Sequence, residues 1–184
     1  MITLQGNRVS LRPFREDEIE HALGKIGFSA PDGAAGGDDA RTQRRERLAR
    51  SGSRNQWELL FAIEGAGRLV GEIQARHAED TMPPGVHELG IEIWDRSDRR
   101  HGYGSAAIAA LTGHLFDRED AIRVQASTDL DNGAMRHTLE RLGFAFEGVL
   151  RGFMPSPEGP RDYAMYGMTN DDWRAVRARW TQAS

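Results

Sequence analysis

The chain has 184 residues, enough for one folded unit with a substantial core. Its 24 basic and 28 acidic residues leave a formal charge of −4, which argues against a strongly basic nucleic-acid binder and leaves room for local basic patches. Cysteine is absent, which excludes a disulfide framework, a zinc–thiolate site and a cysteine nucleophile.

Lys25 is the sole lysine, so arginine abundance is a matter of composition and each arginine has to be argued by its position. The opening MITLQGNRVSLRPF carries arginines where a signal peptide needs an apolar run, and no stretch approaches the ~20 apolar residues of a membrane span. The expectation is a soluble protein of the cytoplasm with neither a nucleic-acid nor a membrane partner.

Residues 8–14 alternate apolar and polar and predict a strand. Residues 15–26 open with acids and carry Ile19, Ala22, Leu23 and Ile26 at helical spacing, which predicts a helix. Residues 29–39 are Gly-, Ala- and Asp-rich and read as a loop, and residues 40–50 as a short basic helix. That helix is either a solvated face or a mobile lid over a substrate site. Residues 57–63 and 68–76 are strands joined by the turn Glu64-Gly65-Ala66-Gly67. Residues 79–85 are a Pro/Gly loop. In the strand 87–94, His87, Leu89, Ile91 and Ile93 share one face, and Glu88, Gly90, Glu92 and Trp94 share the other.

Residues 95–101 are a charged loop, followed by an Ala/Leu-rich helix from Gly102 to Phe116 and a strand over 122–128. Residues 132–142 form a helix with Asn132 as N-cap and Gly143 as the C′ residue. Strands at 144–153 and 161–168 precede a closing helix at 170–180 whose acids lead and whose arginines trail, as the helix dipole favours. The order gives an α/β (α+β) class with a mixed, mostly antiparallel sheet of about seven strands flanked by helices in one domain, 1–184; the unit 87–128 should hold a parallel pair.

Arg99-Arg100-His101-Gly102-Tyr103-Gly104-Ser105 lies between a strand and a helix. Glycines admit a ligand close to the backbone, the helix start offers amides without intrahelical partners, and Arg99 and Arg100 add charge. The segment is either a phosphate cradle or a plain connecting turn. Gly102-Tyr-Gly104-Ser-Ala-Ala107 also matches a dinucleotide fingerprint. Seven mostly charged residues separate it from Trp94, however, and Asp120 and Asp129 fall before and after the next strand and not at its end.

Arg99 to Gly104 resembles the (Q/R)-x-x-G-x-(G/A) signature of the Gcn5-related N-acetyltransferase (GNAT) superfamily. Asn132 to Phe144 resembles that superfamily's N-x-x-(A/S)-x-x-x-x-E-K-x-G-F element, with Met135 at the small position and Arg141 at the lysine. LQGNRVSLRPF and RDYAMYGM…W resemble the branch holding the ribosomal-protein alanine acetyltransferases. The resemblance implies acetyl-CoA as cofactor. Its pyrophosphate would lie on amides from Arg99 through Arg100, His101, Gly102, Tyr103 and Gly104 to Ser105, its pantetheine along a splayed strand at Ile93 and Trp94, and its far portion near Asn132 and Arg141. No metal is implied.

Acetyl transfer needs a neutral amine, and amines titrate at ~10.4 (lysine type) or ~7.7–8.0 (α-amine), so a base helps. Glu88 lies eleven residues before Arg99 and by that spacing resembles the glutamate base of histone-type members; Glu92 could orient the amine. Their Cα atoms are ~13 Å apart on a strand, too far to share a proton, and both could equally be solvent-facing. His87 faces the core by parity. His101 meets either phosphate or solvent. The oxyanion donor implied by the family is an amide at Trp94 or Asp95.

The family's tyrosine donor falls at Leu139 and the ribosomal branch's serine at Met135, so Tyr163, Tyr166, Tyr103 or water would have to serve. Without cysteine, attack is direct within a ternary complex. The acceptor is a primary amine, either a protein N-terminus or a small molecule such as an aminoglycoside. A non-catalytic acyl-CoA sensor is the alternative, and a dinucleotide-dependent oxidoreductase the more distant one. The aromatic and methionine residues of 153–168 suit an acceptor pocket, a core strand or a homodimer interface.

Overall fold

The computed structural model describes residues 1–25, 38–77 and 82–182. Most of the 29–39 loop expectation and the start of the 79–85 one lie outside these residues. The strands are β1 (Leu4–Gly6), β2 (Val9–Arg12), β3 (Glu58–Gly65), β4 (Arg68–Arg76), β5 (Val86–Ile93), β6 (Arg123–Asp129), β7 (Ala145–Met154) and β8 (Arg161–Thr169). The helices are α1 (Glu16–Leu23), α2 (Asp38–Ala49), α3 (Tyr103–Arg118), α4 (Gly133–Arg141) and α5 (Asn170–Gln182), and a 3-10 turn covers Arg96–Asp98.

All eight strands join one sheet in the order β1-β2-β3-β4-β5-β6-β8-β7. The strand beyond the expected seven is β1, a three-residue piece paired with β2 from Leu4↔Leu11 to Gly6↔Val9. Pairing is antiparallel except between β5 and β6, as the crossover through α3 requires. That parallel ladder runs from Val86↔Arg123 to Leu89↔Ala126 and stops. Beyond it β5 still pairs with β4 as far as Ile93↔Gly71, and β6 with β8 as far as Asp129↔Tyr163. The two strands therefore part after Leu89 and Ala126.

Period-two alternation sorts each strand between two layers. Leu59, Phe61, Ile63, Ile73, Leu89 and Val124 pack on the α3 side against Ile108, Leu111 and Leu115. Leu60 and Ala62 face the other way, against Phe14, Ile19, Ala22 and Leu48 of the α1–α2 layer. Each buried Leu, Ile, Val or Phe among them contributes about 1.5–3 kcal/mol relative to exposure.

Local signals act as the sequence suggests. The Arg15 amide donates to Glu18 Oε2 at 2.9 Å, starting α1 with a carboxylate at its positive end. Asn132 caps α4 by accepting from the Met135 amide at 3.2 Å. At the far end of α4, Gly143 takes φ +91, and the Phe144 and Gly143 amides reach the carbonyls of Leu139 and Glu140 at 3.0 and 2.9 Å. That is the Schellman arrangement, which favours glycine at C′.

Candidate active site

The turn before α3 is built on positive φ angles, +66° at Arg100 and +82° at Gly102. Gly102 is the N-cap and offers no side chain to the first-turn amides, which leaves those donors available to an anion. The surrounding contacts fix the turn. Asp98 is buried and pairs with Arg68, the Arg99 Nε donates to the Ile93 carbonyl at 3.2 Å, and the Ser105 hydroxyl donates to the Gly102 carbonyl at 3.0 Å. His101 stacks on Tyr103 with ring centroids 5.8 Å apart, and the Tyr103 ring lies where a side chain at Gly65 would be. A Cβ on Gly104 would stand 3.9 Å from Ile91 and Ile93, and one on Gly102 would stand 3.8 Å from Arg8. The turn thus abuts the end of β5 that has parted from β6 and has a third arginine, Arg8, beside it.

Where β5 and β6 part, a cavity of about 70 Å³ opens, lined by Leu89, Gly90, Ile91, Ser127, Thr128, Asn132, Met135 and Leu139 among others. Its hydroxyls are Ser127 and Thr128. None of the three tyrosines lines it. Tyr166 is fully buried and donates to Glu140 at 2.8 Å, and burial raises its pKa; burial likewise raises that of Tyr163. The Trp94 amide donates to the Val70 carbonyl at 3.1 Å, so it is not a free donor for an oxyanion, and its indole ring stacks on Phe14 at 6.4 Å.

On the α2 side of the sheet, Glu88 Oε1 accepts from Arg76 at 2.6 Å, and Glu88 Oε2 lies 3.5 Å from Gln125 Nε2. Glu92 stands directly across from Glu72, which is buried and has Arg44 of α2 at 3.5 Å. Arg47 of α2 holds Glu58 (Nε at 2.5 Å) and Gln74. Gln74 covers Gly90: a Cβ there would be 2.7 Å from its Nε2. A second cavity, of about 770 Å³, lies over this face, lined by α2, Asn55 to Glu58, Gln74 and Arg76. Helix α2 is thus an anchored wall of that cavity, tied down by Leu48 and two arginines. His87 faces the opposite layer, 2% exposed and edge-on to His77 at 5.4 Å; burial, then the charges of His77 and Arg54, push its pKa down to about 4.

Residues 8–145 match the family model of the acetyltransferase (GNAT) domain. The chain belongs to the GNAT family. It is an enzyme of the acetyltransferase class. No curated protein matches it by sequence. Among solved structures, a candidate acetyltransferase from T. thermophilus is 26% identical with TM-score 0.74, over 99% of this chain and 96% of that one. Mycobacterium smegmatis RimJ in complex with CoA-disulfide is 21% identical with TM-score 0.71, over 97% and 95%. RimL, a ribosomal alpha-N-protein acetyltransferase in complex with coenzyme A, is 16% identical with TM-score 0.75, over 93% and 99%. The likeness to the last two is one of fold.

Within this GNAT chain the expected site residues fall into three groups. Ile93 and the turn from Arg99 to Ser105 gather at the end of β5, and Asn132 lines the opening beside it. Glu88 and Glu92 lie on the sheet face toward α2, both within reach of β4 side chains. Arg141 sits exposed at the far end of α4 from Asn132, and the side chain of Trp94 belongs to the α1 layer. Glu72, Gln74, Arg76 and Ser127 join the site with no mark in the sequence beyond strand alternation. Arg8 lies ninety-four positions before Gly102 and only the fold brings it there.

Proposed function

We propose that this GNAT chain, as a single domain, is an acetyl-CoA-dependent N-acetyltransferase acting on a primary amine by direct attack. The observation that carries the reading is the meeting, at one end of β5, of uncapped amides at the start of α3 with an interrupted strand ladder. The first suits a pyrophosphate, with Arg8, Arg99 and Arg100 around it. The second leaves the edge of β5 beyond Leu89 without β6 as a ladder partner, which gives an amide-bearing arm a place to lie along it. The chemistry of these residues suits CoA, and Asn132, which lines the opening, would meet the portion that lies there. When bound, acetyl-CoA supplies an acyl group activated as a thioester.

The protein's own contributions follow from position. Glu88 accepts a proton from the ammonium form of the acceptor, directly or through water, once Arg76 yields it. Glu92, with Glu72 opposite, orients the amine. Ser127 and Thr128 are the hydroxyls that can protonate or solvate the leaving sulfur, in the role that Met135 and Leu139 cannot fill. A non-catalytic acyl-CoA sensor is favoured by the Arg76 contact on Glu88 alone.

The test is a thermal-shift titration with acetyl-CoA followed by CoA release across an amine panel, in wild type, Glu88→Gln and a Gly102→Val/Gly104→Val pair. The glycine pair should lose CoA-dependent stabilisation. Glu88→Gln should keep it and lose about 10²–10⁴-fold in kcat, most sharply at low pH. CoA affinity untouched by the glycine pair would refute the cradle. CoA binding with no turnover on any amine would favour the sensor.

A further inference from the structure

The larger cavity differs in chemistry from the molecule around it. The chain is acidic overall, a balance that suits a cationic acceptor. The cavity wall carries three guanidiniums, from Arg47, Arg50 and Arg76, and two carboxylates, from Glu46 and Glu58. Arg47 is committed: its Nε and Nη2 hold both oxygens of Glu58, and Nη2 also meets Gln74. Glu58 is thereby neutralised. Arg50 is exposed and, among the described residues, its guanidinium holds no hydrogen bond or ion pair. Arg76 donates through one nitrogen to Glu88 and keeps its side chain 41% exposed. The exposed Glu46 is the remaining opposing charge, and no ion pair joins it to Arg50. Beside the arginines stands Trp57, half exposed, a broad ring surface on the same wall.

One side chain separates the cavity from the opening between β5 and β6. Gln74, in its wall, lies over Gly90, and Gly90 lines the opening between β5 and β6. The cavity's volume of about 770 Å³ lies within the range of small-ligand sites.

Building on the acyl-transfer reading above, we propose that this cavity seats the acceptor and that the acceptor bears a carboxylate or phosphate, held by Arg50 and Arg76, in addition to its amine. Guanidinium forks match both anions, because each presents a pair of oxygens to two parallel N–H donors. The same contact explains how Glu88 is freed. An anion that takes Arg76 draws it off the Glu88 carboxylate, and Glu88 then accepts the proton of the acceptor's ammonium. Polycationic acceptors such as aminoglycosides would be repelled by Arg50 and would leave Arg76 on Glu88.

The experiment measures CoA release at saturating acetyl-CoA for two matched pairs: alanylphenylalanine against its C-terminal amide, and glucosamine 6-phosphate against glucosamine. The anionic member of at least one pair should show about tenfold or higher kcat/KM, the worth of one charge-assisted contact, and the responding pair names the anion. Arg50→Met should bring that ratio toward one, with CoA affinity and melting temperature unchanged. Equal rates within both pairs, a ratio indifferent to Arg50→Met, or turnover confined to neutral or polycationic amines would overturn the proposal while leaving acyl transfer standing. Failure of acetyl-CoA to bind would remove acyl transfer, and the proposal with it.

Discussion

Lowering the pH should destabilise this protein through His87. The ring is buried beside His77, and the charged groups acting on it are His77, Arg54 and Glu119, which itself pairs with Arg54 and His114. Burial is the main cause and the positive charges of His77 and Arg54 add to it, taking the pKa from 6.5 to about 4. The unfolded chain therefore gains a proton near 6.5 while the folded one resists it down to about 4, so the stability is complete above the first value and is lost as pH falls toward the second. Fully realised, that gap is worth about 3 kcal/mol. Between about pH 7.5 and about pH 5.0 the loss from this ring alone is about 2 kcal/mol, a sizeable share of a typical domain's stability. Urea denaturation of wild type and His87→Leu at both pH values isolates it, because every other titrating group is common to the two proteins. The variant should lose about 2 kcal/mol less than wild type over that interval. Equal losses in the two proteins would refute the reasoning.

Gly143→Ala should cost about 1–3 kcal/mol, because φ is +91° and the new Cβ would stand 2.8 Å from Val176; Gly133→Ala, with nothing within 4 Å, is its control and should leave the melting temperature within a degree or so. Gly71→Ala should lower both the melting temperature and the affinity for CoA, because its Cβ would collide with the backbone carbonyl of Glu92 and push β5 from β4; titration calorimetry that finds CoA affinity unchanged would count against β5 as the cofactor strand.

Much of this arrangement is legible before any coordinates. Alternation alone puts His87 inward and Glu88 on the opposite face, because strand geometry leaves no other choice. Asn132 and Gly143 mark both ends of α4 through their own backbone chemistry. What escapes is whatever depends on register. Glu72 and Arg76 look like ordinary polar positions of a strand until β4 is laid beside β5, which sets one across from Glu92 and the other on Glu88. The Trp94 amide looks free until Val70 is seen to accept from it. Strand β1 is too short to carry a periodic signal, and with it goes any hint that Arg8, in the turn it makes with β2, stands near the glycine turn.

The parting of β5 and β6 also bears on how the molecule holds together. Four residue pairs join the halves along that border, and past them the border is an unsewn seam. A guest whose amides fill it would act as a stitch, so that occupancy and rigidity rise as one quantity. Such a protein would be stiffest when its metabolite is plentiful and would loosen along that one line when the supply runs down.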